Sequence, residues 1–317
     1  EGRDTRMKCM KQRDAAKIRA KHQIFKDCDV VLCTLSASGH DNQLSRDLSF
    51  SAVIIDEACQ SVEPSTLIPL RLKMKKCILV GDPHQLPPTI LSDKARSFKY
   101  EQSLFYRIQQ ASPQLVFMLD VQYRMHPQIS TYPSHAFYGG KLIDGPGMDA
   151  SRVSPWHQAQ NSRSALRPYQ FFNVVGQEAR HGHAIYNVDE ARAVVETINY
   201  IAAMSPDEAL GKQIGVITFY KGQVKRIREL LQARFGSHVH EYVDVNSVDA
   251  FQGQEKEIII LSTVRASNNA SVGFIDDKRR INVALTRARS TLILLGNQAT
   301  LMRNTTWGAI VDDAKAR

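Results

Sequence analysis

No stretch of this sequence approaches the roughly 20 consecutive apolar residues that a helix needs to cross a bilayer, so no membrane-spanning helix and no membrane partner are expected. Its opening, EGRDTRMKCMKQRDAAKIRAK, has neither an initiator methionine nor an apolar signal region. Cysteine is scarce: Cys9, Cys28, Cys33, Cys59 and Cys77 fall at no disulfide or zinc spacing. Cys33, Cys59 and Cys77 lie in or beside apolar runs, which points to reduced, buried thiols of an intracellular protein. No period of about 20–50 residues recurs, which excludes solenoid and propeller arrays. A G-x-x-x-x-G-K-[ST] segment is also missing. The Gly-Lys pairs, Gly140-Lys141 and Gly211-Lys212, are not followed by Ser or Thr. These residues therefore do not supply the glycine-rich phosphate cradle with its lysine and Mg²⁺-binding hydroxyl.

What is present is ordinary globular composition, 43% hydrophobic and 23% charged, over 317 residues, a length that suggests about two domains. Taken by itself, the net charge of +9 favours a polyanion such as nucleic acid or an anionic membrane. Residues 1–26 are rich in Lys and Arg and read as a basic helix, whose ordinary explanation is a solvated face. Short apolar runs follow at Val30–Leu35, Ala52–Asp56, Cys77–Val80 and Val116–Leu119. Runs of this length fit strands buried on both faces of a parallel sheet. Residues 144–168, rich in Pro, Gly and Ser, read as a long exposed connection. A second series places strands at Tyr169–Val174, Ile214–Phe219, Tyr242–Val245, Glu257–Thr263 and Leu292–Leu295. Helices are expected near Val188–Ala203, Gly222–Arg234 and Asp277–Ala288. The βαβα pattern, given twice, predicts an α/β fold of two parallel-sheet domains with a boundary near residue 120.

The polar clusters that end these runs carry the chemistry, because ligands of open α/β sheets sit at the carboxyl ends of the strands. In AVIIDEACQ an apolar strand delivers Asp56 and Glu57. One such acid can hold Mg²⁺ while the next polarises a water, although an acidic pair there also serves as a helix cap. In CILVGDPHQLPPT, Gly81 permits a sharp turn. Pro83, Pro87 and Pro88 stiffen a loop that can hold the Gln85 amide at a terminal phosphate, or simply make a rigid surface turn. In DVQYRMHP, Tyr123 can stack on a purine and Arg124 can place a fixed charge on a γ-phosphate, a device worth on the order of 10³–10⁵ in rate, or the arginine can make a surface ion pair worth about 0–1 kcal/mol. In NSVDAFQGQEKE, Gly253 allows close backbone approach and Glu255 can accept from a ribose hydroxyl. Ser247, Asp249 and Gln252 are positioned to meet a nucleic-acid backbone or to couple it to ATP. In INVALTRA, the helical spacing of Ile281, Ala284, Leu285 and Ala288 leaves Arg287 free to point across a cleft, or to be a surface charge.

Taken in order, DEACQ, GDPHQLPPT, QYRMHP, VDAFQGQE and VALTRAR resemble motifs II to VI of the superfamily 1 helicases of the senataxin and nonsense-mediated-decay group. SASGH, YEQSLF and FYGGKLIDGPGMD resemble the fungal senataxin-type members. The resemblance covers nearly the whole chain. It implies two RecA-like domains of a P-loop NTPase helicase core, residues 1–120 and 121–317, the first incomplete at its N-terminus. Residues 1–26 resemble the end of a basic stalk helix. It implies ATP and Mg²⁺, with Asp56 as the metal-coordinating acid and Glu57 as the base. Gln85 becomes the γ-phosphate sensor, and Arg124 and Arg287 the arginine fingers. Tyr123 stacks on adenine, Gln122 is a further nucleotide-binding residue, and Gly253 and Glu255 touch phosphate and ribose. Thr34 and Ser36 become nucleic-acid contacts of the first domain, and His126, Pro127, Thr218, Tyr220 and Ser247 those of the second. The implied partners are single-stranded RNA or DNA and RNA–DNA hybrids, with transcription-termination or RNA-processing factors met through other regions. The implied motion is 5′ to 3′, and the implied location nuclear, with the cytoplasm as a second site.

The missing phosphate loop departs from that pattern. Either these residues are part of a normal helicase, or they form a truncated, non-catalytic nucleic-acid-binding module. The first is expected, since a chain that never turns over ATP has no reason to keep Glu57, Gln85, Arg124 and Arg287 together. A fused nuclease is not expected, because no further acid or histidine cluster stands out. His181 and His183 could bind a metal but read as a solvated loop.

Overall fold

The computed structural model describes residues 2–39, 49–157, 166–182, 184–204, 213–267 and 272–317. The chain forms two compact units, one of residues 1–83 and 87–116, the other of residues 84–86 and 117–317.

The first unit opens with helix α1 (Gly2–Asp27), which exposes its large apolar side chains Met7, Met10, Ile18 and Ile24. Strands β1 (Ala52–Ile55) and β2 (Lys76–Leu79) pair in parallel, with Ile54 beside Ile78 and Ile55 beside Leu79. Pairing continues past the strands: Val80 N donates to Ile55 O and Ala58 N to Val80 O, both at 2.8 Å. The DEACQ and GDP turns are thereby stitched together. Gly81 sits where they meet, and a Cβ there would lie 2.9 Å from the Cys59 nitrogen, so only glycine fits without displacing backbone. Short helices α2 (Glu63–Leu67), α3 (Asp93–Ser97) and α4 (Leu104–Ala111) also belong to this unit. Ser92 and Ser103 cap α3 and α4 by accepting from Ala95 N and Tyr106 N.

Two expected strands of the sequence reading are absent. Val30–Leu35 is irregular, with Val30 73% and Leu32 91% exposed. Val116–Leu119 is likewise irregular, with Phe117 and Leu119 exposed. A strand is held by its ladder partner, and among the described residues neither run has one. Cys33 and Cys77 are exposed rather than buried; of the five thiols only Cys59 is enclosed, and all are free.

In the second unit a minor parallel pair, β3 (Val121–Gln122) and β4 (Ile143–Asp144), flanks helix α5 (Pro127–Tyr138); α6 (Met148–Ser151) follows. Next come β5 (Tyr169–Asn173), the antiparallel hairpin β6 (Glu178–His181) and β7 (Ala184–Asn187), α7 (Val188–Met204), β8 (Ile214–Thr218) and α8 (Lys221–Phe235). The chain ends with β9 (Val243–Ser247), β10 (Lys256–Ser262), α9 (Lys278–Leu285), β11 (Ala288–Gly296), α10 (Gln298–Leu301) and α11 (Thr305–Ala316). The main sheet is parallel throughout, in the order β5-β11-β10-β8-β9.

The pleat divides this sheet's side chains between two cores. Ile258, Ile260, Ile293 and Leu295 join α7 and α8 through Val194, Ile198, Ile227 and Leu231. Ile259, Leu261, Leu292 and Leu294 join α5, α9 and α11 through Ile129, Ile281, Trp307 and Ile310, and Leu86 belongs to this second cluster. The segment read as a long exposed connection is anchored inside the unit: Met148, Ser154, Trp156 and Leu166 are buried, and Trp156 Nε1 donates to Thr291 Oγ1 at 2.7 Å. Residues 158–165 of it lie outside the described residues.

Candidate nucleotide and nucleic-acid site

In the first unit the turn after β1 places Asp56 and Glu57 at the strand's carboxyl end. Glu57 adopts φ +51°, and its backbone N–H donates to Asp56 Oδ1 at 2.9 Å. Gln60 Nε2 donates to the Glu57 carboxylate at 2.5 Å, which fixes a side chain that sequence alone leaves free. Both acids are exposed. The Cys59 thiol beneath them is pushed up to about 12, first by burial and then by the charges of Asp82 and Glu57, so it stays a neutral thiol. Mg²⁺ keeps several waters and takes one or two carboxylates plus substrate phosphate. An exposed Asp56 with one oxygen spent on a backbone N–H fits that demand.

A second feature of this unit is an open pocket of about 400 Å³ that includes Thr34 and Ser36. Ser61, Ser65 and Thr89 add hydroxyls, and Gln60 adds an amide. Thr34 Oγ1 accepts from Ala37 N at 3.2 Å, so the hydroxyl also shapes its own turn. A neutral, donor-rich wall suits phosphate and sugar oxygens rather than base edges. Gln60, Ser61, Ser65 and Thr89 were not legible as site residues, since nothing in their local sequence brings them to Thr34.

In the second unit, residues far apart in sequence converge. Arg124 Nε donates to Glu255 Oε2 at 2.5 Å, and Arg124 Nη1 to Thr286 O at 3.3 Å. Arg289 Nε lies 3.0 Å from Glu255 Oε1, and its Nη1 lies 3.1 Å from Glu257 Oε1. Burial works to raise the Glu255 carboxyl, but the bond from Arg124 and the charges of Arg124, Arg289 and Arg287 hold it below the usual range. Gln85 is part of this unit, and Arg287 Nη2 donates to Gln85 Oε1 at 3.4 Å. Its loop is pinned on both sides of that amide: Asn282 Nδ2 donates to His84 O at 3.0 Å, and Leu86 enters the core.

Arg287 corrects the sequence reading. It is 2% exposed, and it donates to Val283 O and Thr286 Oγ1 at 3.0 and 2.9 Å. Helix α9 ends at Leu285 and β11 begins at Ala288, so Arg287 stands in a turn, braced rather than free. Arg289, Thr286 and Asn282 were missed because INVALTRA looks like an uninterrupted helix.

Tyr123 is 61% exposed, and its ring packs against Gly145, where a Cβ would come within 2.2 Å of it. Gln122 is spent inside the turn: its oxygen accepts from Arg124 N and Met125 N at 2.9 and 2.8 Å, and its amide donates to Met125 O and Asp144. Gly253 uses φ +74°, as a turn that presents backbone requires. His126 is nearly buried and caps α5, its Nδ1 accepting from Gln128 N at 3.1 Å, while Pro127 starts the helix. Burial lowers His126, against the pull of Asp144 and Asp149. Thr218 and Ser247 are register neighbours at the ends of β8 and β9, and Ser262 flanks Thr218 on β10. Tyr220, at the start of α8, packs on the core and lies 6.1 Å from the Phe274 ring. Thr218 is fully buried. No group of three or more metal-ligating side chains occurs among the described residues, and His183 lies outside them.

A family described as an AAA domain matches residues 100–299, and a second family of the same description matches residues 1–93. Helicase SEN1 of Saccharomyces cerevisiae is 44% identical over 97% of this chain and 14% of its own length. Helicase sen1 of Schizosaccharomyces pombe is 44% identical over 97% of this chain and 18% of its own length. Probable helicase senataxin of Homo sapiens is 38% identical over 93% of this chain and 11% of its own length. The chain thus spans less than a fifth of each of these relatives. On the family matches and this shared sequence, the chain belongs to the AAA-domain superfamily 1 helicases of the senataxin and nonsense-mediated-decay group.

Proposed function

We propose that this chain is part of an ATP-driven motor that moves 5′ to 3′ along single-stranded RNA or DNA and opens RNA–DNA hybrids. The observation that carries the reading is the meeting of Gln85, Arg124, Glu255 and Arg287 within one unit, although up to 202 residues separate them. A surface ion pair would not gather a neutral amide, two guanidiniums and one carboxylate.

In this reading Asp56 holds Mg²⁺, which when bound neutralises β- and γ-phosphate charge. Glu57, fixed by Gln60, takes a proton from the attacking water. Arg124 and Arg287 stabilise charge on the transferring phosphoryl group, and Gln85 reports its presence to Arg287. Tyr123 stacks on adenine with Gly145 at its back, and Glu255 accepts from the ribose. Thr34, Ser36 and Ser247 touch the strand's phosphates and sugars, which makes binding sequence-tolerant and salt-sensitive. Burial turns Thr218 and His126 into supports for this surface and leaves Tyr220 and Pro127 nearer to it. Transcription termination or RNA processing in the nucleus is the setting we propose, by likeness to the senataxin relatives.

Joined to a phosphate-binding loop in a longer polypeptide, Glu57→Gln abolishes hydrolysis while ATP affinity stays within about threefold. Equal loss of both refutes the role of Glu57. Residues 1–317 alone show little ATP hydrolysis and weak RNA binding; strand-stimulated turnover at ordinary helicase rates, about 1–10³ per second, refutes that.

A further inference from the structure

One buried acid lies outside all of the chemistry above. Glu190, in the first turn of α7, is 0% exposed. Its Oε2 accepts from Ser262 Oγ at 2.6 Å and from the Val264 N–H at 2.7 Å. Its Oε1 is buried with no hydrogen-bond partner among the described residues. The groups facing the carboxyl are Ser262 on β10, the backbone of Thr263 and Val264, and Gln223 of α8, which donates to Ser262 Oγ at 3.0 Å. None is charged. The nearby charged side chains are engaged elsewhere, Asp189 with Arg192 and Arg265 with Glu178.

Val264 explains what the acid does. It is fully buried and adopts φ +72°, a conformation that a β-branched residue takes only when its surroundings impose it. Both of its peptide groups are gripped from one helix start: Glu190 takes the N–H, and Asn187 Nδ2 donates to Val264 O at 3.2 Å. Asn187 is itself fixed by Asp189 N and Glu190 N, which donate to its Oδ1 at 3.0 and 3.1 Å. After the kink at Val264, Arg265 donates to Glu178 and to Val272 O, at 2.6 and 2.8 Å. The same carboxylate orients Ser262, the neighbour of Thr218 and, through it, of Ser247, at the ligand-bearing edge of the sheet.

We propose that Glu190 is a positioning residue for the nucleic-acid-binding edge of the second unit, holding the left-handed exit of β10 and the Ser262 hydroxyl in place. The inference rests on the nucleic-acid reading given above. Burial pushes the carboxyl up to about 7, against the hydrogen bonds from Ser262, Val264 and Thr263 that favour the anion. The grip on Val264 therefore changes strength across neutral pH, as a carboxylate accepts more strongly than the acid form.

Two measurements on the 317-residue chain test this. The first is the pH dependence of the Val264 amide resonance by ¹⁵N–¹H correlation. The wild-type signal titrates between pH 6 and 8, and that of Glu190→Gln does not. A wild-type amide that ignores pH over that range overturns the proposal. The second is binding of a fluorescein-labelled 15-residue oligouridylate at low salt. Glu190→Gln, which keeps an acceptor, stays within about twofold of wild type. Glu190→Leu, checked as folded by tryptophan fluorescence, binds at least fivefold more weakly; a folded Leu variant with wild-type affinity overturns the proposal. Should the Leu variant not fold, the amide titration decides through Glu190→Gln. A titrating amide in a chain that binds no oligonucleotide refutes the nucleic-acid role of this edge, whereas a silent amide in a chain that binds well refutes Glu190 alone.

Discussion

Glu190→Gln should change how the stability of the second unit depends on pH. A carboxyl that moves from 4.5 in the unfolded chain to about 7 in the fold carries more protons when folded throughout that window. Stability therefore falls as pH rises from about 4.5 to 7 and is level above it. The 2.5-unit difference corresponds to about 3 kcal/mol in full, of which about 2 to 3 kcal/mol lies between pH 5 and pH 8. Other groups pull the opposite way. His157 is lowered to about 4 by burial and by the charge of His126, so its contribution is present above 6.5 and is lost as pH falls through 4. Glu178 and Glu255, both lowered, also lose their contribution in acid. These are common to both proteins and cancel in the difference between wild type and variant. Gln puts a buried N–H₂ where Oε1 had no partner, a constant cost of about 1–3 kcal/mol without a slope. Urea unfolding can be followed by fluorescence, because both tryptophans of the chain, Trp156 and Trp307, belong to the second unit. Relative to wild type, the variant should gain about 2 to 3 kcal/mol between pH 5 and pH 8. Parallel curves, or a difference of opposite sign, would refute the burial argument.

Trp307→Phe removes the donor to Ile275 O at 2.9 Å and shrinks a ring that meets Phe219 edge-on at 5.8 Å; about 2–4 kcal/mol should be lost in urea unfolding. Arg265→Lys cannot serve Glu178 and Val272 O together and should cost about 1–3 kcal/mol in urea unfolding. Gly145→Ala drives a methyl into the Tyr123 ring; in a polypeptide with a phosphate-binding loop it should weaken ATP binding as much as Tyr123→Ala does, about tenfold for a lost stacking contact. Unchanged affinity in the Gly145 variant would remove Tyr123 from the base site.

The sequence spoke most clearly where periodicity and burial coincide. Ile258–Leu261 and Leu292–Leu295 are apolar without interruption because both faces of their sheet are covered, and they are strands. Val30–Leu35 carries the same signal and is irregular, since an apolar run says nothing about whether a ladder partner exists. The helical spacing of Ile281, Ala284 and Leu285 was sound, but extending it to Ala288 crossed a helix end and left Arg287 in the wrong setting. The motif acids, amide and arginines were legible by type and order. Their bracing was not: Gln60 on Glu57, Arg289 on Glu255 and Thr286 on Arg287 are facts of folding rather than of spacing. Glu190 was invisible for a related reason. An acid in the first turn of an amphipathic helix usually faces water beside the positive end of the helix, and only the packing turns this one inward.

The two-stranded ladder of the first unit has a practical consequence for handling the molecule. Among the described residues, Ile54 and Ile78 stand side by side, 67% and 48% exposed, on a sheet of two strands, whereas Ile259 and Leu292 are sealed in a sheet of five. Two strands with a wet apolar face are marginal on their own. On warming, β1 and β2 should come apart first, and the sticky species in a concentrated preparation will be a half-melted chain whose tryptophans still report a native environment.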